Sequence, residues 1–367
     1  MDCSKTVTKS GTPIKLLLGG SPCTKWSIAQ KNGREVLPEG IGWELFENYR
    51  IAKEKFQPDI FLYENNKSAA QPIKDAIYSA LGGGKDLSVR LTHIDSALVS
   101  AQHRQRFYVT NFGDIEQPKD RGILLRDVLE SGEDLSCREK SYVLTSTYAG
   151  AVPCNTLEKS QRTMVAVPVR IGTIESNAKN KSHDSKQYRV YSPDGKATTL
   201  CGQGGGVGAK TGLYACPINE IDGKPIYTVK NGLITIKDKQ YPVKLADGYY
   251  LIRKLTPTEC ERLQTMPDGY TAAVSNSQRY KALGNGWTAE VIIHILNHAL
   301  KDVPRDKELV VLSMYDGIAT GRYCLDKMGF TNVKYYAYEI DPYAQKIAMS
   351  NYPDIVQCGD AFQIRNF

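Results

Sequence analysis

The sequence predicts an open α/β fold, a mainly parallel sheet, with a smaller and mainly β unit set between its two parts. Three observations lead there. The runs 14–18 and 308–315 are dominated by apolar residues, the pattern of strands buried on both faces of a parallel sheet. Each ends in a glycine-containing turn, Gly19-Gly20-Ser21-Pro22-Cys23 and Asp316-Gly317-Ile318-Ala319-Thr320-Gly321, before helical periodicity resumes. Between about residue 122 and residue 253 the texture changes to short β-like runs broken by turn residues. Segments 1–122 and 255–367 therefore form the α/β part, and 123–254 the smaller unit.

At 367 residues the chain can bury a large core in one major and one minor domain. Lys and Arg outnumber Asp and Glu by 47 to 40, a formal charge of +7 that suits a polyanionic partner without requiring one. The nine cysteines include no C-x-x-C pair, so neither a zinc site nor a disulfide framework is indicated. No apolar run approaches the ~18 residues of a membrane span. A metal-free, cytoplasmic protein follows, in a reducing setting that keeps thiols free.

Residues 1–13, rich in Ser, Thr and Lys, read as a loose lead-in. The strand at 14–18 holds Cys23 over its carboxyl edge, where open α/β sheets carry out their chemistry. A cysteine after a strand is otherwise often a small core filler. The stretch 24–42, with three glycines among polar residues, reads as a mobile loop beside the thiol. From 43 to 56, Leu45, Phe46, Tyr49, Ile51 and Ala52 recur at near-helical spacing. A strand at 59–63 delivers Glu64-Asn65-Asn66 to the same edge. Gln71-Pro72 opens a helix to 81, closed by Gly82-Gly83-Gly84. Two more strands follow at 88–94 and 106–112, the second introduced by Gln102-x-Arg104-x-Arg106.

In the middle unit, Lys230-Asn231-Gly232 and Ala246-Asp247-Gly248 signal hairpins. Arg170, Lys179, Lys181, His183, Lys186, Gln187 and Arg189 lie in its loops. The stretch 202–212 superficially resembles a phosphate-binding loop, but Ala209 stands before Lys210 where that motif needs glycine, so a triphosphate site is rejected. A glycine-rich loop able to lie close to another molecule remains.

Helical structure returns at Thr256-Pro257-Thr258-Glu259, a capping box with proline in the first helical position. Gly284-Asn285-Gly286-Trp287 precedes an apolar helix at 291–300, and a polar connector, 301–307, leads to the strand 308–315. After the Asp316 to Gly321 turn and a helix, a strand at 334–338 presents Glu339, and Asp341-Pro342 caps the next helix. Cys358-Gly359-Asp360 closes the pattern. Strand, glycine turn, helix, strand and acidic residue is the Rossmann-type half that holds an adenosine, its carboxylate accepting from the ribose hydroxyls. The G-x-G-x-x-G fingerprint is absent, which points to a nucleoside without phosphates.

Together, Gly19-Gly20-Ser21-Pro22-Cys23, Glu64-Asn65-Asn66, Gln102-x-Arg104-x-Arg106, Gly284-Asn285, the Tyr315 to Gly321 turn, Glu339 and Gly359-Asp360 resemble the DNA cytosine-5 methyltransferases. The likeness covers nearly all of the chain outside the middle unit. Even there, Tyr188-Arg-Val-Tyr-Ser-Pro-Asp-Gly-Lys196 and Lys210-Thr-Gly-Leu-Tyr214 look like bacterial members. In most of the family the cofactor turn comes first and the cysteine loop later; here the order is reversed. The sequence thus resembles a circularly permuted member, opened between the Gly359-Asp360 segment and the strand before Cys23. The fold this implies is a Rossmann-like methyltransferase sheet, permuted, with a target-recognition domain at 123–254. Permutation is physically undemanding when old termini are adjacent and new ones fall in a surface connection. Residues 361–367 leave little material for a helix connecting Asp360 to Ile14.

The resemblance implies S-adenosyl-L-methionine-dependent methylation of C5 of cytosine in a specific sequence of duplex DNA. Cys23 would be the covalent catalyst, adding to C6 so that C5 becomes an enamine carbon. Glu64, as its acid form, would bind and protonate N3, Arg106 would hold O2, and Arg104 would brace the Glu64 loop or share that role. The target base must flip out of the duplex. The stretch 24–42 would close over it, while the middle domain reads the major groove. For the cofactor the family implies Tyr315 on the adenine face, with Asp316, Gly317, Ile318, Thr320 and Gly321 of the same turn. Glu339 and Ile340 would take the ribose side, Asp360 and Ala361 the adenine amine, and Asn285 with Trp287 the amino-acid end. Asn66 stands where the family usually has valine. A monomeric bacterial or phage modification enzyme is expected, with a cognate restriction endonuclease as a candidate partner. Two alternatives are weighed. A tRNA cytosine-5 methyltransferase has a shorter target domain than 123–254, and a catalytically silent paralogue should lack the thiol or the carboxylate.

Overall fold

The computed structural model describes residues 11–22, 24–27, 33–136, 138–168, 172–173, 189–191, 213–214, 220–221, 224–236 and 238–366. The chain divides into two compact units, one of Met1–Val128, Lys140–Gly150 and Thr256–Phe367, the other of Leu129–Glu139 and Ala151–Leu255. Residues 140–150, read from the sequence as part of the middle unit, thus belong with the first.

The first unit is built on a seven-stranded sheet. Its strands along the chain are β1 (Ile14–Gly19), β2 (Ile60–Asn66), β3 (Arg90–Asp95), β4 (Gln105–Thr110), β5 (Leu309–Met314), β6 (Val333–Tyr338) and β7 (Val356–Gly359). In space their order is β7-β6-β5-β1-β2-β4-β3. β1 lies parallel to both neighbours, with Ile14 opposite Leu309 and Gly19 opposite both Met314 and Tyr63. β6 and β7 continue the parallel array, whereas β4 runs antiparallel to β2 and β3. The apolar composition of β1 follows from its central place: Ile14, Leu16, Leu17 and Leu18 are all buried.

Helices cover the sheet through periodic apolar stripes. α1 (Gly40–Phe56) turns Phe46, Tyr49 and Ala52 inward, and α2 (Gln71–Ala80) buries Ile73 and Ile77 one turn apart. These side chains form one core cluster with Leu17, Phe61, Tyr63, Phe107 and Met314. α3 (Pro257–Leu263) starts with the predicted capping box, the Thr256 hydroxyl accepting from the Glu259 amide and the Glu259 carboxylate from the Thr256 amide. α4 (Asn276–Asn285), α5 (Ala289–Leu300), α6 (Thr320–Lys327) and α7 (Pro342–Asn351) follow, the last capped by Asp341 as expected. Past β7 the chain makes a short 3-10 turn, Ala361–Asn366, whose Ala361 and Ile364 join the same core cluster.

Among the described residues the second unit is mainly antiparallel β, with one parallel pair, Arg189–Tyr191 beside Leu213–Tyr214. Its main sheet orders the strands Lys239–Pro242, Leu233–Ile236, Lys224–Lys230, Gly248–Lys254, Met164–Pro168 and Glu133–Asp134. Asn231 and Gly232, with φ of 52° and 71°, make the two-residue turn of the predicted hairpin. Asp247-Gly248 makes no hairpin, because the strand beginning at Gly248 pairs with Lys224–Lys230 rather than with its predecessor in the chain. Residues 202–212 and the basic loop residues Arg170 to Gln187 lie outside the described residues, as does the Arg189 side chain. Among the described residues no helix is long and apolar enough to cross a membrane, and no cluster of His, Cys, Asp and Glu could hold a metal ion.

Candidate active site

The carboxyl ends of β1, β2, β5, β6 and β7 share one edge of the sheet. Because β4 is antiparallel, its first residues arrive at that edge too, with Arg106 opposite Asn66 and Tyr108 opposite Glu64. Glu64 and Arg106 are therefore diagonal neighbours on one face, close enough for long side chains to meet. They do: Arg106 Nε lies 2.9 Å from Glu64 Oε1, and both side chains are 12% exposed. The other carboxylate oxygen is also engaged, Trp287 Nε1 donating to Glu64 Oε2 at 3.0 Å. Gly20 explains how the chain fits here. A Cβ on it would stand 2.6 Å from the Glu64 carbonyl oxygen and 2.9 Å from Oε2, so only a bare backbone can pass.

Asn65 is buried and ties the two loops together. Its side-chain amide donates to the Ser21 carbonyl at 3.0 Å and to the Tyr63 hydroxyl at 3.0 Å, and that hydroxyl lies 2.7 Å from Ser21 Oγ. Asn66 contributes as well, its Oδ1 accepting from the Ser68 amide and its Nδ2 reaching Ser27 Oγ at 3.5 Å.

At the same edge β5 runs into a turn of unusual backbone. Tyr315, Gly317 and Ala319 have φ of 60°, 65° and 61°, and for the two non-glycine residues such a left-handed conformation costs on the order of 1 kcal/mol each. Glu339, at the end of β6, holds the turn: its Oε2 accepts from the Gly317 amide at 2.8 Å and its Oε1 from the amides of Ile340 and Asp341. Tyr315 is fixed by its hydroxyl, which donates to the Leu45 carbonyl at 2.8 Å, and burial pushes its pKa up to about 12. Asp316 is turned inward. Its Oδ1 accepts from Ser313 Oγ and from the Tyr335 hydroxyl, each at 2.7 Å, while its Oδ2 and the Thr320 Oγ1 are buried polar atoms without a partner. Ile318, Thr320 and Ala361 are buried, whereas Ile340, Asp360 and Asn285 are exposed. Gly321 sits where a Cβ would come within 2.7 Å of the Tyr335 hydroxyl.

This constellation can be set beside known proteins. The model of the C-5 cytosine-specific DNA methylase family matches residues 2–301. The chain belongs to that family. It is 25% identical over 307 residues to the type II methyltransferase M.HhaI of Haemophilus parahaemolyticus, covering 77% of this chain and 73% of the relative. To the orphan methyltransferase M.SPBetaI of Bacillus phage SPbeta it is 29% identical over 203 residues, covering 48% of this chain and 42% of that protein. Among solved structures it is similar to the Entamoeba histolytica methyltransferase EhMeth at 14% identity and a TM-score of 0.39, over 79% of this chain and 78% of that one.

Within this family member, Cys23 lies outside the described residues. The surroundings of the loop it opens are described on both sides. Trp26 is wholly buried, and its Nε1 donates at 3.2 Å to Glu35 Oε2, which also accepts from the Gly42 amide at 3.0 Å. The Glu35 amide bonds the Lys25 carbonyl, and Arg34 donates to the carbonyls of Trp26 and Ser68. The stretch 24–42, expected from its composition to be a mobile loop, therefore has feet pinned by hydrogen bonds. Its last residues are already helical, since α1 begins at Gly40.

Arg104 is buried and donates to the carbonyls of Leu144 at 2.9 Å, Gly284 at 3.1 Å and Gly286 at 2.7 Å. It thus braces the turn that carries Asn285 and Trp287, where the sequence suggested the Glu64 loop. Gln102 works beside it, donating to the Leu263 carbonyl and accepting from the Leu144 amide. Gln264, which sequence reading missed, completes this support: its amide donates to the Leu283 carbonyl at 2.6 Å and its carbonyl accepts from Thr288 Oγ1 at 2.9 Å. The Trp287 bond to Glu64 was missed as well, because nothing in a Gly-Asn-Gly-Trp stretch tells which strand end it will meet. Cys260 and Cys324 are buried, and burial pushes both thiols up, away from the thiolate form that a nucleophile needs.

Proposed function

We propose that this family member transfers a methyl group from S-adenosyl-L-methionine to C5 of cytosine in a specific sequence of duplex DNA, through a covalent bond between Cys23 and C6 of a flipped-out base. The observation that carries the reading is the Glu64–Arg106 pair. A carboxyl group and a guanidinium, held side by side at the strand edge next to the turn leading to Cys23, suit one N3 and one O2 of the same pyrimidine ring.

The cofactor reading rests on the same edge. Three adjacent strands end there in Tyr315, Glu339 and Asp360, and the orphaned Asp316 Oδ2 and Thr320 Oγ1 offer buried polar atoms to a bound group. The donor set fits a nucleoside. Tyr315, Asp316, Gly317, Ile318, Thr320, Gly321, Glu339, Ile340, Asp360, Ala361, Asn285 and Trp287 would hold it, and when bound it supplies a methyl group on a sulfonium, an electrophile that cytosine C5 cannot find in water.

The chain's own residues do the rest. The Cys23 thiolate forms the bond to C6, the displaced π electrons move toward C5 and N3, and Glu64 gives its proton to N3 as Arg106 donates to O2. Those donors meet negative charge that appears only as the sulfur adds, so they favour the adduct over the free base. Once C5 carries the methyl group, its proton passes to water, the C6–S bond breaks to release the Cys23 thiolate, and the N3 proton returns to Glu64, which restores the aromatic ring and the acid.

We further read the chain as circularly permuted, with the target-reading domain expected at 123–254 corresponding to the second unit, Leu129–Glu139 and Ala151–Leu255. The family match ends at residue 301, and the strands β5, β6 and β7 that follow it pack together on one side of β1, the first of the described strands. The net charge of +7 favours a polyanionic substrate. A cytoplasmic modification enzyme acting as a monomer, with or without a restriction endonuclease beside it, is consistent with this reading. The test is transfer of labelled methyl from S-adenosylmethionine to duplex DNA by wild type and by Cys23→Ala. Label in wild type and none in the variant is expected; no label with any duplex, or equal label in both, overturns the proposal.

A further inference from the structure

Trp287 does not simply line the cofactor edge. It stands in the turn between α4 and α5, held from below by Arg104 and Gln264, and its indole reaches Glu64 Oε2 at 3.0 Å. Its neighbour Gly286 packs toward the other side of the site, where a Cβ on it would lie 3.8 Å from Ile318 Cδ1 in the turn after β5. One short segment therefore bonds the carboxyl group and passes near the adenosine-side turn. We propose that Trp287 is a positioning residue for Glu64, fixing the plane of its carboxyl group and deciding which oxygen carries the proton. The proposal rests on the reading of Glu64 as the acid that serves N3.

The chemistry is one of donor counting. An indole N–H can only donate, and so can a guanidinium. In the structure both oxygens of Glu64 face such donors, Oε2 toward Trp287 and Oε1 toward Arg106. A carboxyl proton cannot share a line with the indole N–H or sit against the guanidinium, so the group is held as an acceptor while the hydrogen bond and the ion pair both stand. When Arg106 turns to the cytosine O2, Oε1 alone is released. Trp287 stays on Oε2 and keeps that oxygen the acceptor, so a proton taken up from solvent as the guanidinium leaves goes to Oε1, on the side from which Arg106 has withdrawn. Transfer of that proton to N3 leaves a carboxylate, which the indole N–H again stabilises. Gly20 closes off movement on the far side, because its backbone stands against Glu64 and admits no Cβ. Without the indole the carboxyl group can rotate about its last bond and present either oxygen.

The experiment uses the full-length protein. The chain has three tryptophans, so an 15N-labelled sample gives three indole N–H signals, and loss of one in Trp287→Phe assigns it. Phenylalanine keeps most of the ring and removes the donor. The Trp287 proton is expected far downfield in wild type and displaced upfield in Glu64→Gln, where a neutral amide replaces the carboxylate acceptor. In methyl transfer Trp287→Phe is expected to lower kcat by about 10- to 100-fold, the scale of one lost charge-assisted hydrogen bond, with KM for DNA changed less than about twofold. An indole signal that does not move in Glu64→Gln, or a Trp287→Phe enzyme with wild-type kcat, overturns the inference. If Trp287→Phe fails to fold, isotope labelling of tryptophan at this one position assigns the signal and the Glu64→Gln comparison decides. Wild type that methylates no DNA overturns the proposed function itself, whereas an active wild type with an unmoved indole overturns only the role of Trp287.

Discussion

Asp316 carries a carboxyl group that folding takes out of water. Burial pushes its pKa from the ordinary 3.8 up to about 6, against the hydrogen bonds from Ser313 and Tyr335, which act to lower it, and nearby Glu339 adds to the rise. A carboxyl group raised in this way binds its proton more tightly in the folded than in the unfolded state. Stability is therefore highest while the group is protonated in both states, falls as pH climbs from about 4 to about 6, and stays reduced above that window. Two pKa units correspond to roughly 3 kcal/mol. Asp316→Asn keeps an oxygen for Ser313 and Tyr335 and removes the charge. It is expected to be more stable than wild type at pH 7.5, by about 1–3 kcal/mol, with the advantage shrinking as pH falls to 5. Urea unfolding at the two pH values measures this. The same variant should bind S-adenosylhomocysteine more weakly, since the orphaned Oδ2 is replaced by a donor. A variant that loses stability at pH 7.5, or an advantage that grows toward pH 5, would contradict the account.

The elements of the larger sheet were legible in the sequence, and the reason is visible in β1 and β5. Strands buried on both faces carry near-continuous apolar runs, and such runs leave little ambiguity when glycine turns bound them. The capping signals at Thr256 and Asp341 were equally readable, since they are local. The Gln102-x-Arg104-x-Arg106 motif was not readable in the same way. Its spacing suggests alternate residues of one strand facing one site, but β4 begins only at Gln105, so Gln102 and Arg104 precede the pleat and turn into the protein. What they meet there, the Leu144, Gly284 and Gly286 carbonyls, lies 40 to 182 residues away along the chain, beyond any local pattern. The two arginines should therefore fail differently. Arg104→Met retains the aliphatic bulk and strands three carbonyls, with an expected stability loss of about 3–5 kcal/mol. Arg106→Met should show its main effect in turnover, with a smaller shift in the denaturation midpoint. Denaturant midpoints and single-turnover rates for the two variants separate the roles; equal losses of stability would refute the division.

At the scale of the whole molecule, the sheet joins the beginning of the chain to its end. β1 and β5 pair over their full length, from Ile14 with Leu309 to Gly19 with Met314, and both are buried. No sequence pattern states that pairing, because strands of this composition are interchangeable until topology assigns neighbours. If the fold tolerates its termini in this connection, it should equally tolerate having them elsewhere, since the pairs formed are the same and only the loops closed before they form differ. The 3-10 turn Ala361–Asn366 already runs back along α1, with Arg365 donating to Asn48 Oδ1 and to the Glu44 carbonyl, and Lys55 donating to the Arg365 carbonyl. Residues 1–13, ahead of β1, then provide up to ~40 Å of extended chain. We expect a rearranged protein, joined from Phe367 to Met1 through a few Gly-Ser residues and opened within the connector 301–307, to fold cooperatively with a stability within about 2 kcal/mol of the native order. It should retain methyl transfer if the cofactor edge assembles from the same strands. Urea unfolding and the labelled-methyl assay on both chains test this. A rearranged chain that unfolds without cooperativity would mean that the order of the segments, and not only their pairing, holds the sheet together.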